Sequence, residues 1–317
     1  MESSREKPKS PPGERQEPLP WEEPPIPRDD PEAAARIHRI MASPGYRQAD
    51  KDPDFLAHPG MRGARLQVDY AKAEAALRAH GIEHSIIVFG STRIPDPAAA
   101  ANRLDGLLRQ RTQIPDDPVL QRKIKIAERI RDKSRYYEVA RELGRLVGSA
   151  QHGGEGDYLA VMTGGGPGIM EAANRGSFDV GADTVGLNIS LPREQHPNAY
   201  VTPGLCFQFH YFALRKLHFM LRARALVACP GGYGTIDELF EALTLIQTRK
   251  LEPLPVVLVG EQFWRGAFDI DFLVDEGVID EEDRDLFWFA ETAQEVWGGI
   301  CQWYRNAGRP LVGGKED

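Results

Sequence analysis

The chain has 317 residues, 41% of them hydrophobic and 9% aromatic. That suffices for one large domain or two small ones burying roughly three quarters of the unfolded surface, and it excludes a disordered or fibrous protein. With 39 Lys and Arg against 47 Asp and Glu, the net charge of -8 lacks the footprint of a nucleic-acid or anionic-membrane binder, although a local basic pocket stays compatible with it.

Nine of the 24 prolines fall within Met1 to Pro31, among charged residues and almost no aliphatic ones. Such a segment buries too little apolar surface to offset its ordering entropy, so a disordered tail is expected over 1–31. A helical extension over 32–84 follows. It contains a short helix from Glu32 to Met41 and a second from about Arg65 to His80, stopped by Gly81, both read as connectors.

From Ser85 short apolar runs ending in glycine turns alternate with amphipathic stretches, the pattern of a doubly wound parallel sheet with helices on both faces. Strands are expected near Ser85–Phe89, Tyr158–Met162, Thr184–Asn188, Ala225–Cys229 and Pro255–Val259, with a further one at Phe287–Phe289. Helices are expected over Val119–Ala150, Gly168–Val180, Phe209–Arg222, Gly234–Thr248, Phe263–Glu276 and Ala293–Asn306. The polar stretch Asp96–Asp117 reads as a loop or a helix with poor edges. The α/β domain covers 85–307, and 308–317 reads as a flexible end. No apolar run approaches the roughly 18 residues a membrane helix needs, and the first residues hold no apolar signal core, so a cytoplasmic protein is expected. Cys206, Cys229 and Cys301, odd in number and widely spaced, fit neither a disulfide framework nor a metal clip and read as core thiols.

Three expected strands end in glycine-containing turns: Gly90-Ser91-Thr92-Arg93, Thr163-Gly164-Gly165-Gly166-Pro167-Gly168, and Pro230-Gly231-Gly232-Tyr233-Gly234-Thr235. In a parallel sheet all three lie at the carboxyl ends of the strands, where open α/β folds bind ligands. Glycine permits close backbone approach, and each following helix offers unpaired N–H groups at its positive end, so a small phosphate is held without a basic patch. The dinucleotide fingerprint fails, because Ile169 and Asp237 stand where its last glycine belongs, and no GK[ST] follows a glycine loop. A compact mononucleotide therefore fits better than NAD or ATP. The eight histidines show no metal-ligand spacing, and His210 and His218 read as packing residues.

Two charged elements flank the third turn. Glu238 falls in the first turns of the helix it launches, where a carboxylate complements the helix dipole by about 0.3–1 kcal/mol, an account that also covers Asp237. Beside a phosphate, however, an anion is unfavourable unless it faces another part of the ligand, such as a ribose hydroxyl or a developing positive charge. Upstream, Arg215-Lys216 interrupts an apolar helix and reads either as solvated charge or as part of the same site.

The stretch Pro230–Glu238 reads PGGYGTIDE and resembles the PGGxGTxxE motif of the Lonely Guy family of nucleoside 5′-monophosphate phosphoribohydrolases, with Arg215-Lys216 where that family carries its RK element. Gly90-Ser91, Gly164–Glu171 (GGGPGIME), Leu187–Gln195 (LNISLPREQ) and Glu241–Thr248 (EALTLIQT) extend the resemblance over about Ser85 to Trp303, in the manner of the longer bacterial branch. Members of this family have been labelled lysine decarboxylases, yet no isolated Lys stands out as an imine former.

The resemblance implies a Rossmann-like fold and hydrolysis of the N-glycosidic bond of AMP or a cytokinin riboside 5′-monophosphate to free base and ribose 5-phosphate. It implies no metal or organic cofactor, a small-molecule nucleotide rather than a nucleic acid or membrane as partner, and a homodimer or higher homo-oligomer. Carried over by motif, Arg215 and Glu238 are the catalytic pair. Gly231, Gly232, Gly234 and Thr235 cradle the 5′-phosphate with Gly164, Gly165, Gly166 and Ser91. Glu171, Asn174 and Lys216 are candidates for ribose or base contacts. Whether Arg215 holds the phosphate, holds Glu238 or assists the leaving base stays open, as does base preference. The alternative is a non-catalytic nucleotide or molybdenum-cofactor carrier of the same fold.

Overall fold

The computed structural model describes residues 29–150, 158–192 and 196–311, together with 17, 19, 26 and 27. Most of the expected tail 1–31, the end of the LNISLPREQ stretch and 312–317 lie outside the described residues. The chain divides into two compact units, 1–65 and 66–317.

In the first unit α1 (Ala33–Met41) is followed by short 3-10 turns and α2 (Pro53–Ala57). Asp52 caps α2, accepting from the Phe55 N–H at 3.2 Å, with Pro53 at the first helical position. Helix α3 (Arg62–Ala79) carries the chain across the division into the second unit.

The second unit is built on seven strands: β1 (Ile82–Phe89), β2 (Tyr158–Thr163), β3 (Thr184–Ile189), β4 (Cys206–Phe209), β5 (Ala223–Ala228), β6 (Val256–Val259) and β7 (Trp288–Ala290). They form one sheet in the order β4-β3-β2-β1-β5-β6-β7, parallel at every pairing. Between the strands run α4 (Pro97–Arg111), α5 (Pro118–Lys133), α6 (Arg135–Ala150), α7 (Ile169–Asp179), α8 (Phe212–Leu221), α9 (Tyr233–Gln247), α10 (Glu261–Ala267) and α11 (Ile270–Asp275), and α12 (Ala293–Asn306) follows β7. This is the expected doubly wound Rossmann-like architecture.

The period of two along β1 sorts the core into two layers. Ile87 and Phe89 join Leu77 of α3, Phe219 of α8 and Leu239 of α9 on one face, whereas Ile86 and Val88 join Leu143 of α6, Ala173 of α7 and Val296 of α12 on the other. After β1 the chain builds outward through β2, β3 and β4, then returns to the other side of β1 as β5. The winding therefore reverses between β1 and β5, the place where open sheets leave a crevice at the strands' carboxyl ends.

Several expectations are corrected, and one left open is decided. The 206–209 stretch is an edge strand whose residues alternate exposed and buried, so Phe209 ends a strand and the helix expected from it starts at Phe212. The single helix expected over 119–150 is two, because the Ser134 hydroxyl donates to the Arg131 carbonyl at 2.6 Å and ends α5. Phe268 is extended and Asp269 caps α11, which splits the helix expected over 263–276. Asp96 caps α4 with Pro97 at its first position, so most of the stretch left between loop and helix is helical. Of the three cysteines only Cys229 is a core thiol; Cys206 is exposed and Cys301 half-buried. His218 is buried, but His210 is exposed.

Candidate active site

The three glycine turns meet where the winding reverses, and main-chain hydrogen bonds stitch them together. The Ser91 N–H donates to the Pro230 carbonyl at 3.0 Å, and the Ile169 N–H donates to the Ser91 carbonyl at 3.2 Å. Glycine is required at this junction. Gly168 has φ +75°, and a Cβ on it would lie 2.5 Å from the Ser91 carbonyl oxygen; a Cβ on Gly231 would lie 2.1 Å from Thr235 Oγ1.

A cleft of about 650 Å³ opens over the junction. Gly90 and Ser91 of the first turn, Gly164 of the second, and Gly232, Gly234 and Thr235 of the third line it, with Arg215 and Glu238. Helix α9 starts there with Gly232 as its N-cap and no side-chain cap; its first intrahelical bond runs from the Ile236 N–H to the Gly232 carbonyl at 3.0 Å. The amides of Tyr233, Gly234 and Thr235 thus present the positive end of a fifteen-residue helix to the cleft.

Glu238 lies one turn deeper and is 2% exposed. Arg215 Nη2, from α8, donates to Glu238 Oε1 at 2.9 Å. Glu238 Oε2 and Arg215 Nε, both buried, have no hydrogen-bond partner among the described residues. Burial raises the Glu238 carboxyl above the ordinary carboxylate range; Arg215 and Lys216 pull it down, and Glu241 pushes it up. The guanidinium of Arg215 is centred 5.2 Å from the Phe212 ring and 5.7 Å from that of Phe219, which fixes its plane.

The other expected site residues are placed elsewhere. Lys216 Nζ pairs with Asp237 at 2.8 Å and Glu241 at 3.0 Å, bracing α8 against α9 beside the cleft rather than lining it. Glu171 accepts from the Tyr137 hydroxyl at 2.9 Å. Asn174 is fully buried: Thr163 Oγ1 and Asn198 Nδ2 donate to its Oδ1 at 2.8 and 2.9 Å, and its own Nδ2 donates to Thr184 Oγ1 at 2.5 Å. Gly165 and Gly166 are tied inward, since the Gly165 N–H donates to Thr163 Oγ1 at 2.9 Å while Asn198 donates to both of their carbonyls. Gly231 does not line the cleft but leaves room for Thr235.

Sequence reasoning missed Arg93, which lines the cleft as an exposed side chain and is the one cation in the three turns, a signal that was available. It also missed the apolar wall of Phe89, Met170, Ile189, Phe212 and Phe219 and the 93% exposed Tyr233 at the mouth; Met170, Ile189 and Tyr233 lie within the quoted motifs, but nothing in those motifs assigned them a role.

The fold and site together define a Rossmann-like α/β protein with a cleft at the reversal of its sheet, onto which the uncapped start of α9 and a buried Arg–Glu pair open. The family model described as "Possible lysine decarboxylase" matches residues 170–300. Cytokinin riboside 5′-monophosphate phosphoribohydrolase LOG3 of Arabidopsis thaliana is 29% identical over 52% of this chain and 74% of its own. Cytokinin riboside 5′-monophosphate phosphoribohydrolase LOG of Oryza sativa subsp. japonica is 31% identical over 52% of this chain and 65% of its own. Among solved structures, the molybdenum cofactor binding protein from the phototrophic bacterium Rippkaea orientalis overlaps 53% of this chain and 87% of its own at 19% identity and a TM-score of 0.38. The chain is similar to these phosphoribohydrolases at modest identity, the direction in which its motifs pointed. Among the described residues no helix is long and apolar enough to cross a membrane.

Proposed function

We propose that this protein hydrolyses the N-glycosidic bond of a nucleoside 5′-monophosphate, AMP or a cytokinin riboside 5′-monophosphate, releasing free base and ribose 5-phosphate. The observation that carries this reading is the buried Arg215–Glu238 pair opening onto the same cleft as the uncapped start of α9. A 5′-phosphate on the α9 amides places the ribose one helical turn further in, towards Glu238. Breaking the C1′–N bond puts positive charge on the sugar ring, and the Glu238 carboxylate stabilises it electrostatically and orients the attacking water through Oε2. Water supplies the hydroxyl to C1′, and its proton balances the charge on the departing base. Arg215 holds Glu238 ionised and in place, a role favoured by their 2.9 Å bond over direct help to the base.

Incubating the purified protein with a panel of nucleoside 5′-monophosphates and chromatographing for free base tests the proposal. Base release that vanishes in Glu238→Ala, with nucleotide binding retained, supports it. Binding without base release from the unaltered protein makes it a carrier instead.

A further inference from the structure

Arg215 is aimed by α8, and α8 lacks a side-chain cap of its own: its N-cap residue is Tyr211. The cap comes from a residue 142 positions earlier in the chain. On α3, Asp69 accepts from the His210 N–H at 3.1 Å through Oδ2 and at 3.3 Å through Oδ1, and from the Tyr211 N–H at 3.2 Å through Oδ2. The next residue of α3, Tyr70, stacks on His218 with ring centroids 5.0 Å apart, and the Tyr70 carbonyl meets His218 Nε2 at 3.2 Å. At the far end of α8, Glu74 accepts from both terminal nitrogens of Arg222, the C-cap residue, at 2.9 and 3.0 Å. Three successive contacts of α3 therefore grip α8 at its start, middle and end.

We propose that Asp69 is a positioning residue for the Arg215–Glu238 pair. A carboxylate at a helix start fixes both the entry direction of the chain and the rotation of the first turn. Arg215 lies one turn past Tyr211, and its N–H donates to the Tyr211 carbonyl at 3.3 Å, so a change of rotation at the cap passes directly to its side chain. The proposal rests on the phosphoribohydrolase reading for its kinetic consequence and on the geometry alone for its effect on Glu238. It also gives α3, which lies outside the residues matched by the family model, a part in the site.

The test compares Asp69→Ala, which removes the acceptor, with Asp69→Asn, which keeps a side-chain oxygen for the two amides. Glu238 faces Arg215, Lys216 and Glu241, and its ionisation reports how well Arg215 is aimed. It is followed by carbonyl NMR of glutamate-labelled full-length protein, with Glu238→Gln to assign the signal. Asp69→Ala is expected to move the Glu238 titration upward by about half a pH unit or more, and Asp69→Asn to leave it in place. With nucleotide, kcat in Asp69→Ala is expected to fall about 10- to 100-fold while KM stays within about two-fold, and Asp69→Asn to restore it. An unmoved Glu238 titration in folded Asp69→Ala overturns the proposal, even if the melting temperature drops. Asp69→Ser, whose shorter side chain withdraws the acceptor from the two amides, takes the place of Asp69→Ala if that chain does not fold; an unmoved titration there overturns it equally. If the unaltered protein releases no base from any nucleotide, the phosphoribohydrolase reading fails, and the titration still decides what Asp69 does.

Discussion

Arg215 and Glu238, 23 residues apart in sequence and on different helices, share one hydrogen bond of 2.9 Å, and each keeps a buried polar atom, Nε and Oε2, without a partner among the described residues. Buried polar groups are almost always satisfied, so under the proposed reaction these two atoms are the ones expected to be met by the nucleotide or its attacking water. The pair's cost is offset only when both members are present, which makes it a sensitive point for stability and for chemistry alike.

Replacing Glu238 by Gln keeps the shape and removes the charge. Base release is expected to fall by about 10²- to 10⁴-fold. Nucleotide affinity, which the proposal assigns to the α9 amides, is expected to stay within a few-fold, as measured by calorimetry.

Arg215→Ala leaves a buried carboxylate without its cation. A stability loss of about 3 kcal/mol is expected in denaturant unfolding, and the Arg215→Met, Glu238→Leu double variant is expected to recover most of it while remaining inactive. A double variant as unstable as Arg215→Ala would place the loss in packing rather than charge.

The pH profile follows from the raised Glu238 carboxyl. Because the proposed reaction requires the ionised form, the acid limb of kcat/KM is expected to have its midpoint above the ordinary glutamate value of 4.5. Lys216→Met removes an attraction and is expected to move that midpoint higher. For stability the sign is opposite: the folded chain binds this proton more tightly than the unfolded chain, so the Glu238 contribution declines as pH rises from the ordinary value through the raised one.

Glu74 behaves in the reverse sense. The Arg222 hydrogen bonds, with Arg78 alongside, hold its carboxyl down to about 2 from the ordinary 4.5, against the opposing effect of burial. Its stabilising effect is present above pH 4.5 and is lost as the pH falls towards 2, on the order of 2 kcal/mol. Unfolding free energies measured from pH 5 to pH 2 are expected to fall less steeply in Glu74→Gln than in the unaltered protein.

Gly231→Ala drives a methyl group to within 2.1 Å of Thr235 Oγ1, too close to be absorbed without moving the start of α9. A loss of about 1–3 kcal/mol in stability, with weaker binding of nucleotide, is expected. Gly232→Ala meets no atom within 4 Å and is expected to fold as the unaltered protein does.

What the sequence determined by itself was local or periodic. The apolar runs from Ser85 onward fixed the parallel α/β sheet, and the glycine turns together with PGGYGTIDE marked the strand ends and the Arg215–Glu238 candidates, because close backbone approach and helix starts leave their mark on neighbouring residues. Asp96-Pro97 and Asp117-Pro118 are helix starts that the reading of 96–117 as a loop or a poorly edged helix passed over, because the polar residues between them show no clear period. The four-residue edge strand β4 was not, since so short an alternation carries little signal beside the apolar helix that follows. Only the tertiary structure decided that Glu171 and Asn174 face inward to Tyr137, Thr163 and Asn198, that Lys216 is bound up between Asp237 and Glu241, and that Asp69 caps a helix 142 residues away. Those facts depend on which helix faces packs against which, a relation between distant segments set by the winding of the sheet, and no window of neighbouring residues contains it.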